Sequence, residues 1–132
     1  NLLDLSGKTV ALSSFRGKPV LVNFWATWCD SCRKEMPALE DLHRRLSPQG
    51  LVLLAISMDE ETAKVPPFVR KFSLTFPVLL SNQKTSNAYA VRGLPAAFLI
   101  DGEGRVTRRW VGPLDARAVE NDILALLKRR PS

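Results

Sequence analysis

The passage from Val20 to Leu46 most constrains this chain: an apolar run, then two cysteines separated by two residues, then an amphipathic segment. Val20 to Phe24 reads as a buried strand, and Met36, Leu39, Leu42 and Leu46 recur at helical spacing in the segment from Ser31. Cys29 and Cys32, the two cysteines of the chain, therefore fall where strand gives way to helix. The first N–H groups of a helix have no partner inside it, and the helix dipole favours negative charge there. A thiol at that spot ionises more readily than a free cysteine. Cys29 is thus the candidate nucleophile. Cys32, one turn further on, can reach back, close a disulfide and release whatever Cys29 has attacked.

Blander uses of two cysteines fit less well. A zinc site needs about four ligands, and beyond these thiols the chain offers one histidine, His43, and no second CxxC. A structural disulfide closing so short a loop removes little entropy from the unfolded chain. Two reduced core cysteines would be poorly hidden at a helix start flanked by Trp28 and Asp30. His43, beside the apolar stripe, reads as a packed or surface helix residue.

At 132 residues the chain is expected to form a single domain, residues 1–132, with a core that needs no staples. No apolar run approaches the roughly 20 residues that span a bilayer. The first residue is Asn1, so a leader removed or a chain trimmed are both open, and the compartment is not read from that end. The net charge of +6 suggests an anionic partner, but the basic residues are scattered without an aromatic-interleaved patch, which excludes specific nucleic-acid binding from the expectation. The clusters Arg105, Arg108, Arg109 and Lys128, Arg129, Arg130 read as a solvated face and a frayed terminus.

Along the chain, Leu2 to Leu5 and Thr9 to Leu12 suggest an N-terminal hairpin about Ser6 and Gly7. The first central strand, Val20 to Trp25, leads through the cysteine-bearing helix, broken near Ser47 to Gly50, to a second apolar run at Leu51 to Ile56. Two such strands joined through a helix form a parallel unit. A short helix opened by Pro66 and Pro67 follows, then a strand at Phe76 to Leu79 and a helix near Thr85 to Val91. Ala96 to Ile100 and Arg105 to Val111 read as a hairpin about Asp101 to Gly104. The last helix starts at Asp115 and turns Ala116, Val119, Ile123, Leu126 and Leu127 inward.

These residues resemble a known family. Val22 to Cys29, then Cys32, Glu35 and Pro37, and later Gly93, Leu94, Pro95 with Phe98 to Asp101, are similar to the TlpA/ResA-type thioredoxins of bacteria, and the likeness runs from about Leu2 to about Lys128. The resemblance implies an α/β thioredoxin-like fold: a central mixed sheet flanked by helices, with an N-terminal β-hairpin extension. It implies a thiol–disulfide oxidoreductase in the periplasm or on the outer face of the cytoplasmic membrane, with an N-terminal tether as an option. Protein disulfides would be its substrates, apocytochrome c among the options, and a membrane thiol protein its electron donor. No cofactor or metal is expected beyond the Cys29–Cys32 pair, and the state expected is a monomer.

By the same resemblance Cys29 attacks and Cys32 resolves. Pro37 matches a proline that kinks the active-site helix, Pro95 matches a cis-proline facing the disulfide, and Trp28, Leu94 and Pro95 form the substrate-binding surface. On sequence alone a trans proline at a strand start is the commoner case. Glu35 matches a glutamate beside the site. Three residues past Cys32 it shares that helix face, where it would tune thiol ionisation or carry a proton, or else pair with Arg33 or Lys34 as an ordinary surface residue. Two departures stand out: Asn23 replaces the buried aspartate of general thioredoxins, and Asp30-Ser31 replaces a dipeptide that usually ends in proline. Asp30 would oppose a thiolate at Cys29. The rivals are a thiol peroxidase, although Ala26 stands where such enzymes set a Thr or Ser, and a copper-binding or metallochaperone module using Cys29, Cys32 and His43.

Overall fold

The computed structural model describes residues 2–82 and 93–128. Thr85 to Val91, read from sequence as a helix, lies outside the described residues, as do Arg129 and Arg130. Seven strands, β1 (Leu2–Asp4), β2 (Thr9–Val10), β3 (Val20–Trp25), β4 (Val52–Ser57), β5 (Val78–Leu80), β6 (Ala96–Ile100) and β7 (Val106–Val111), form one sheet in the order β2-β1-β5-β4-β3-β6-β7. Helices α1 (Asp30–Leu46), α2 (Val65–Lys71) and α3 (Ala116–Lys128) flank it.

Strand β3 lies inside the sheet between β4 and β6, and all six of its residues are buried. It runs parallel to β4, with Val20 opposite Val52 and Trp25 opposite Ser57, and antiparallel to β6, with Phe24 opposite Ala96. That double cover explains why both apolar runs lack polar alternation. Alternation along β3 divides the core. Leu21 and Trp25 face a cluster built with Met36, Leu39, Leu42 and Leu46 of α1 and Val119, Ile123 and Leu126 of α3, whereas Val20, Val22 and Phe24 face a second cluster with Leu54, Ile56, Phe98 and Ile100.

The N-terminal hairpin is shorter than expected. Leu12 to Phe15 forms a 3-10 turn instead of extending β2, and β1 pairs antiparallel to β5, so the hairpin extends the sheet at that edge. The bend at Asp4 is closed by its carboxylate, which accepts from the N–H groups of Ser6 and Lys8. The β6–β7 hairpin turns at Asp101 as expected. Asp101 Oδ1 accepts from the Glu103 and Arg105 N–H groups at 2.9 Å, and Gly104 takes the left-handed φ of +87° that favours glycine. Asp115 caps α3, accepting from Arg117 N–H at 3.1 Å and Ala118 N–H at 3.3 Å. Of the five inward residues expected of that helix, Val119, Ile123 and Leu126 are buried, while Ala116 and Leu127 are half-buried.

Helix α1 is anchored to the segment between α2 and β5 by a buried carboxylate that the sequence pattern hid. Glu40, 8% exposed, accepts from the Thr75 N–H at 2.7 Å, the Thr75 hydroxyl and Arg44 Nε at 2.6 Å. Burial alone would raise its pKa, but these donors together hold it below the ordinary carboxylate value. Among the exposed basic residues, Arg105 meets Glu103, Arg108 meets Asp122, and Arg109 lies over the Phe98 ring at 5.3 Å. All three are exposed, but Arg108 and Arg109, adjacent on β7, lie on opposite faces of the sheet, so the cluster does not form the single face expected.

Candidate active site

The end of β3 positions the site. After Trp25 the chain leaves the sheet and enters α1 at Asp30, with Cys29 as the N-cap residue in extended conformation (φ −90°, ψ 110°). Its sulfur accepts from the Cys32 N–H at 3.2 Å, so one of the orphan donors of the first turn points at the reacting atom. Cys29 and Cys32 are joined as a disulfide, their Cα atoms 5.3 Å apart. The pair is asymmetric: Cys29 is 8% exposed and Cys32 is 0% exposed, packed with Trp25 and Met36. An incoming sulfur therefore reaches Cys29 first. Trp28, immediately before it, is 67% exposed.

The β6 end completes the opening. Since Ala96 pairs with Phe24, Pro95 and Leu94 lie at the edge of the sheet from which the cysteine segment emerges. The Leu94–Pro95 peptide bond is cis. Leu94 is half-buried and packs against the core cluster that contains both cysteines, while the Pro95 carbonyl accepts from Gly112 N–H at 2.8 Å. Trp28, Leu94 and Pro95 are thus brought to the same end of the sheet as Cys29.

Glu35 takes neither of the roles expected of a surface residue. It pairs with neither Arg33 nor Lys34; its Oε1 accepts from the Leu114 N–H at 2.6 Å, joining α1 to the segment between β7 and α3. Its Oε2 is buried with no partner among the described residues. The carboxyl lines a cavity of about 20 Å³ whose other walls are mainly apolar, including Leu39, Leu42 and Val119. Burial in these surroundings pushes its pKa above the ordinary 4.5, against the smaller opposing effect of the Leu114 N–H. A carboxyl with a raised folded pKa binds its proton more tightly in the folded protein. Stability from this group is present below the ordinary value and lost as pH rises through the folded value. Glu35→Gln should therefore gain stability relative to wild type between pH 4 and pH 7, read by urea denaturation at both. A stability difference that is the same at the two pH values would contradict this.

The remaining candidates separate. Asp30 is exposed and lies 3.7 Å from Arg33, an exposed pair in which a cation offsets the charge expected to oppose the Cys29 thiolate. Asn23 is fully buried between Ala55 and Ala97, with no partner for its amide among the described residues. His43 lies in the far half of α1, edge-on to Phe76 at 6.0 Å. Eleven residues of helix separate it from Cys32, roughly 16 Å of rise, so the proposed copper ligands do not converge. No three His, Cys, Asp or Glu side chains cluster to hold a metal among the described residues. A groove of about 470 Å³ between Phe15, Phe98 and Arg109 lies on the other face of the sheet and contains no cysteine.

A partner of the site invisible to the sequence pattern is Asp59. It follows β4 inside the run Asp59-Glu60-Glu61, which reads as solvated, yet it is 9% exposed and accepts from the Thr27 N–H at 3.0 Å and the Thr27 hydroxyl at 2.5 Å. The only signal was Ser57 two residues earlier, a small polar residue closing an apolar strand.

A mixed sheet with a CxxC pair at the switch from an inner strand to a helix defines a thiol–disulfide oxidoreductase of the thioredoxin fold. The chain belongs to the AhpC/TSA family, whose pattern matches residues 1–109, and within it to the oxidoreductases of ResA type. It is 39% identical to the thiol-disulfide oxidoreductase ResA of Geobacillus kaustophilus over 92% of this chain and 71% of that protein. Against ResA of Bacillus subtilis the identity is 34% over 96% of this chain and 71% of the relative. Among solved structures, a thiol:disulfide interchange protein of the thioredoxin family from Chlorobium tepidum superposes with a TM-score of 0.86 at 26% identity, covering 95% of this chain and 90% of that one. The exposed lipoprotein thioredoxin Etrx1 of Streptococcus pneumoniae gives 0.82 at 26%, covering 95% and 97%.

Proposed function

We propose that this oxidoreductase works as a reductant of protein disulfides outside the cytoplasm, with the cysteine pair of an apocytochrome c among its substrates and a membrane thiol protein as its electron donor. The observation that carries the direction is the environment of the two sulfurs. Cys29 receives a single directed N–H, and Cys32 is enclosed by apolar side chains that disfavour its thiolate. A strongly oxidising pair needs a heavily stabilised reduced state, and this site supplies little of that. The location outside the cytoplasm is supported by the likeness to an exposed lipoprotein thioredoxin.

In the proposed reaction the Cys29 thiolate attacks one sulfur of a substrate disulfide, forming a mixed disulfide and releasing the first substrate thiolate. Cys32 then loses its proton and attacks the Cys29 sulfur; the Cys29–Cys32 bond forms and the second substrate thiolate leaves. Two electrons pass from the dithiol to the substrate, and both substrate thiolates take up protons. Glu35, one turn from Cys32 and with a free buried oxygen, takes the Cys32 proton. Trp28, Leu94 and Pro95 receive the substrate as an extended segment against the Leu94 backbone. Equilibration of the pair against glutathione and dithiol buffers tests the direction. A reduction potential below roughly −220 mV is expected, and a value near the roughly −120 mV of a strong oxidant would make the protein a disulfide donor.

A further inference from the structure

Between the end of β3 at Trp25 and the N-cap at Cys29, three residues carry the chain out of the sheet, and the middle one is held from outside the segment. Both donors of Thr27, its N–H and its hydroxyl, go to the carboxylate of Asp59, the N–H lying 3.0 Å from Oδ1 and 3.3 Å from Oδ2 and the hydroxyl 2.5 Å from Oδ2. Asp59 is itself fixed. The Ser57 hydroxyl donates to its Oδ1 at 2.6 Å, and its own N–H donates back to Ser57 Oγ at 3.1 Å. Ser57 is the β4 residue paired with Trp25, and its carbonyl accepts from Ser81 N–H at 2.9 Å. The Met58 N–H reaches the Trp25 carbonyl at 2.7 Å, which extends the β3–β4 pairing past the strand end.

We propose that Asp59 is a positioning residue for Cys29: through Thr27 it ties the Trp28–Cys29 segment to the end of β4, so that the nucleophile and the exposed Trp28 are presented in one fixed geometry. Thr27 is two residues from the attacking sulfur and one from the exposed indole. A hydrogen-bonded pin at that point removes the freedom that the segment would otherwise lose on meeting a substrate. Attack on a disulfide needs the incoming sulfur aligned with the bond it breaks, and small misplacements of a reacting atom are costly in rate. This role rests on disulfide exchange at Cys29.

The test is the single-turnover rate at which the reduced protein cleaves insulin disulfides, expressed per folded molecule, with thermal unfolding followed alongside. Asp59→Asn keeps the shape but exchanges one of the two acceptor oxygens for an NH2 donor, so Thr27 and Ser57 can no longer all donate to it, and it should slow the reaction about tenfold. Thr27→Val loses only the hydroxyl and should slow it about threefold, whereas Thr27→Ser, which keeps the hydroxyl, should restore the rate. Rescue by serine is not expected of a residue that merely stabilises the loop through its β-branched shape. If Asp59→Asn does not fold, the comparison of valine with serine at Thr27 decides. Wild-type rates in both Asp59→Asn and Thr27→Val would overturn the proposal while leaving exchange intact. A wild-type protein inert toward insulin would overturn the exchange reading, and this proposal with it.

Discussion

Trp25→Ala is expected to destabilise the oxidised protein by about 3–5 kcal/mol, the usual cost of truncating a large buried aromatic. Trp25 is completely buried at the end of β3, and its ring lies 4.9 Å from that of Phe68 on α2. It belongs to the same core cluster as Cys29, Cys32 and Met36. Removing it opens a cavity in the core beneath the strand-to-helix switch. Chemical denaturation of the variant measures the loss. A change below about 1 kcal/mol would mean that the core does not depend on this side chain.

Cys29→Ala is expected to lower protein-disulfide reduction to below about a thousandth of the wild-type rate, because the group that forms the covalent intermediate is gone. The fold should survive. Cys29 is a terminal N-cap position and the disulfide closes a loop of only a few residues, which contributes little through chain entropy. Insulin reduction with a dithiol as electron source, compared with a far-ultraviolet dichroism spectrum, checks both halves. Substantial residual turnover would show that Cys32 can attack by itself, contrary to its full burial.

Much of this was legible in the sequence because the informative elements are continuous in the chain. The apolar run of β3, the CxxC pair and the stripe of α1 specify a strand-to-helix switch from local pattern alone, and both central strands were placed to within a residue. The resemblance to TlpA/ResA-type thioredoxins supplied what pattern could not, the cis bond before Pro95, since the local preference of a proline is trans. What escaped depends on contacts between distant segments. The resemblance placed Glu35 beside the site, with Arg33 or Lys34 as its partners if it were an ordinary surface residue, and only the approach of the β7–α3 segment reveals that its partner is the Leu114 N–H. Asp59 sits in an acidic run that local reasoning assigns to solvent, and it is drawn inward by donors that lie 32 residues away at Thr27. Glu40 was likewise indistinguishable from a solvated helix glutamate until Thr75 was brought against it. Polar residues that serve long-range contacts carry no periodicity, so sequence pattern registers them as surface.

The central claim, that Cys29 is the attacking sulfur and Cys32 the resolving one, is tested most directly by trapping the covalent intermediate. Reduced Cys32→Ala protein is mixed with a protein disulfide, quenched with acid, and the cross-linked peptide is identified by mass spectrometry. The account predicts a mixed disulfide that accumulates on Cys29, because nothing remains to release it. The companion variant Cys29→Ala should give none through Cys32. Cross-links forming at least as fast through Cys32 would contradict the assignment and reverse the order of attack.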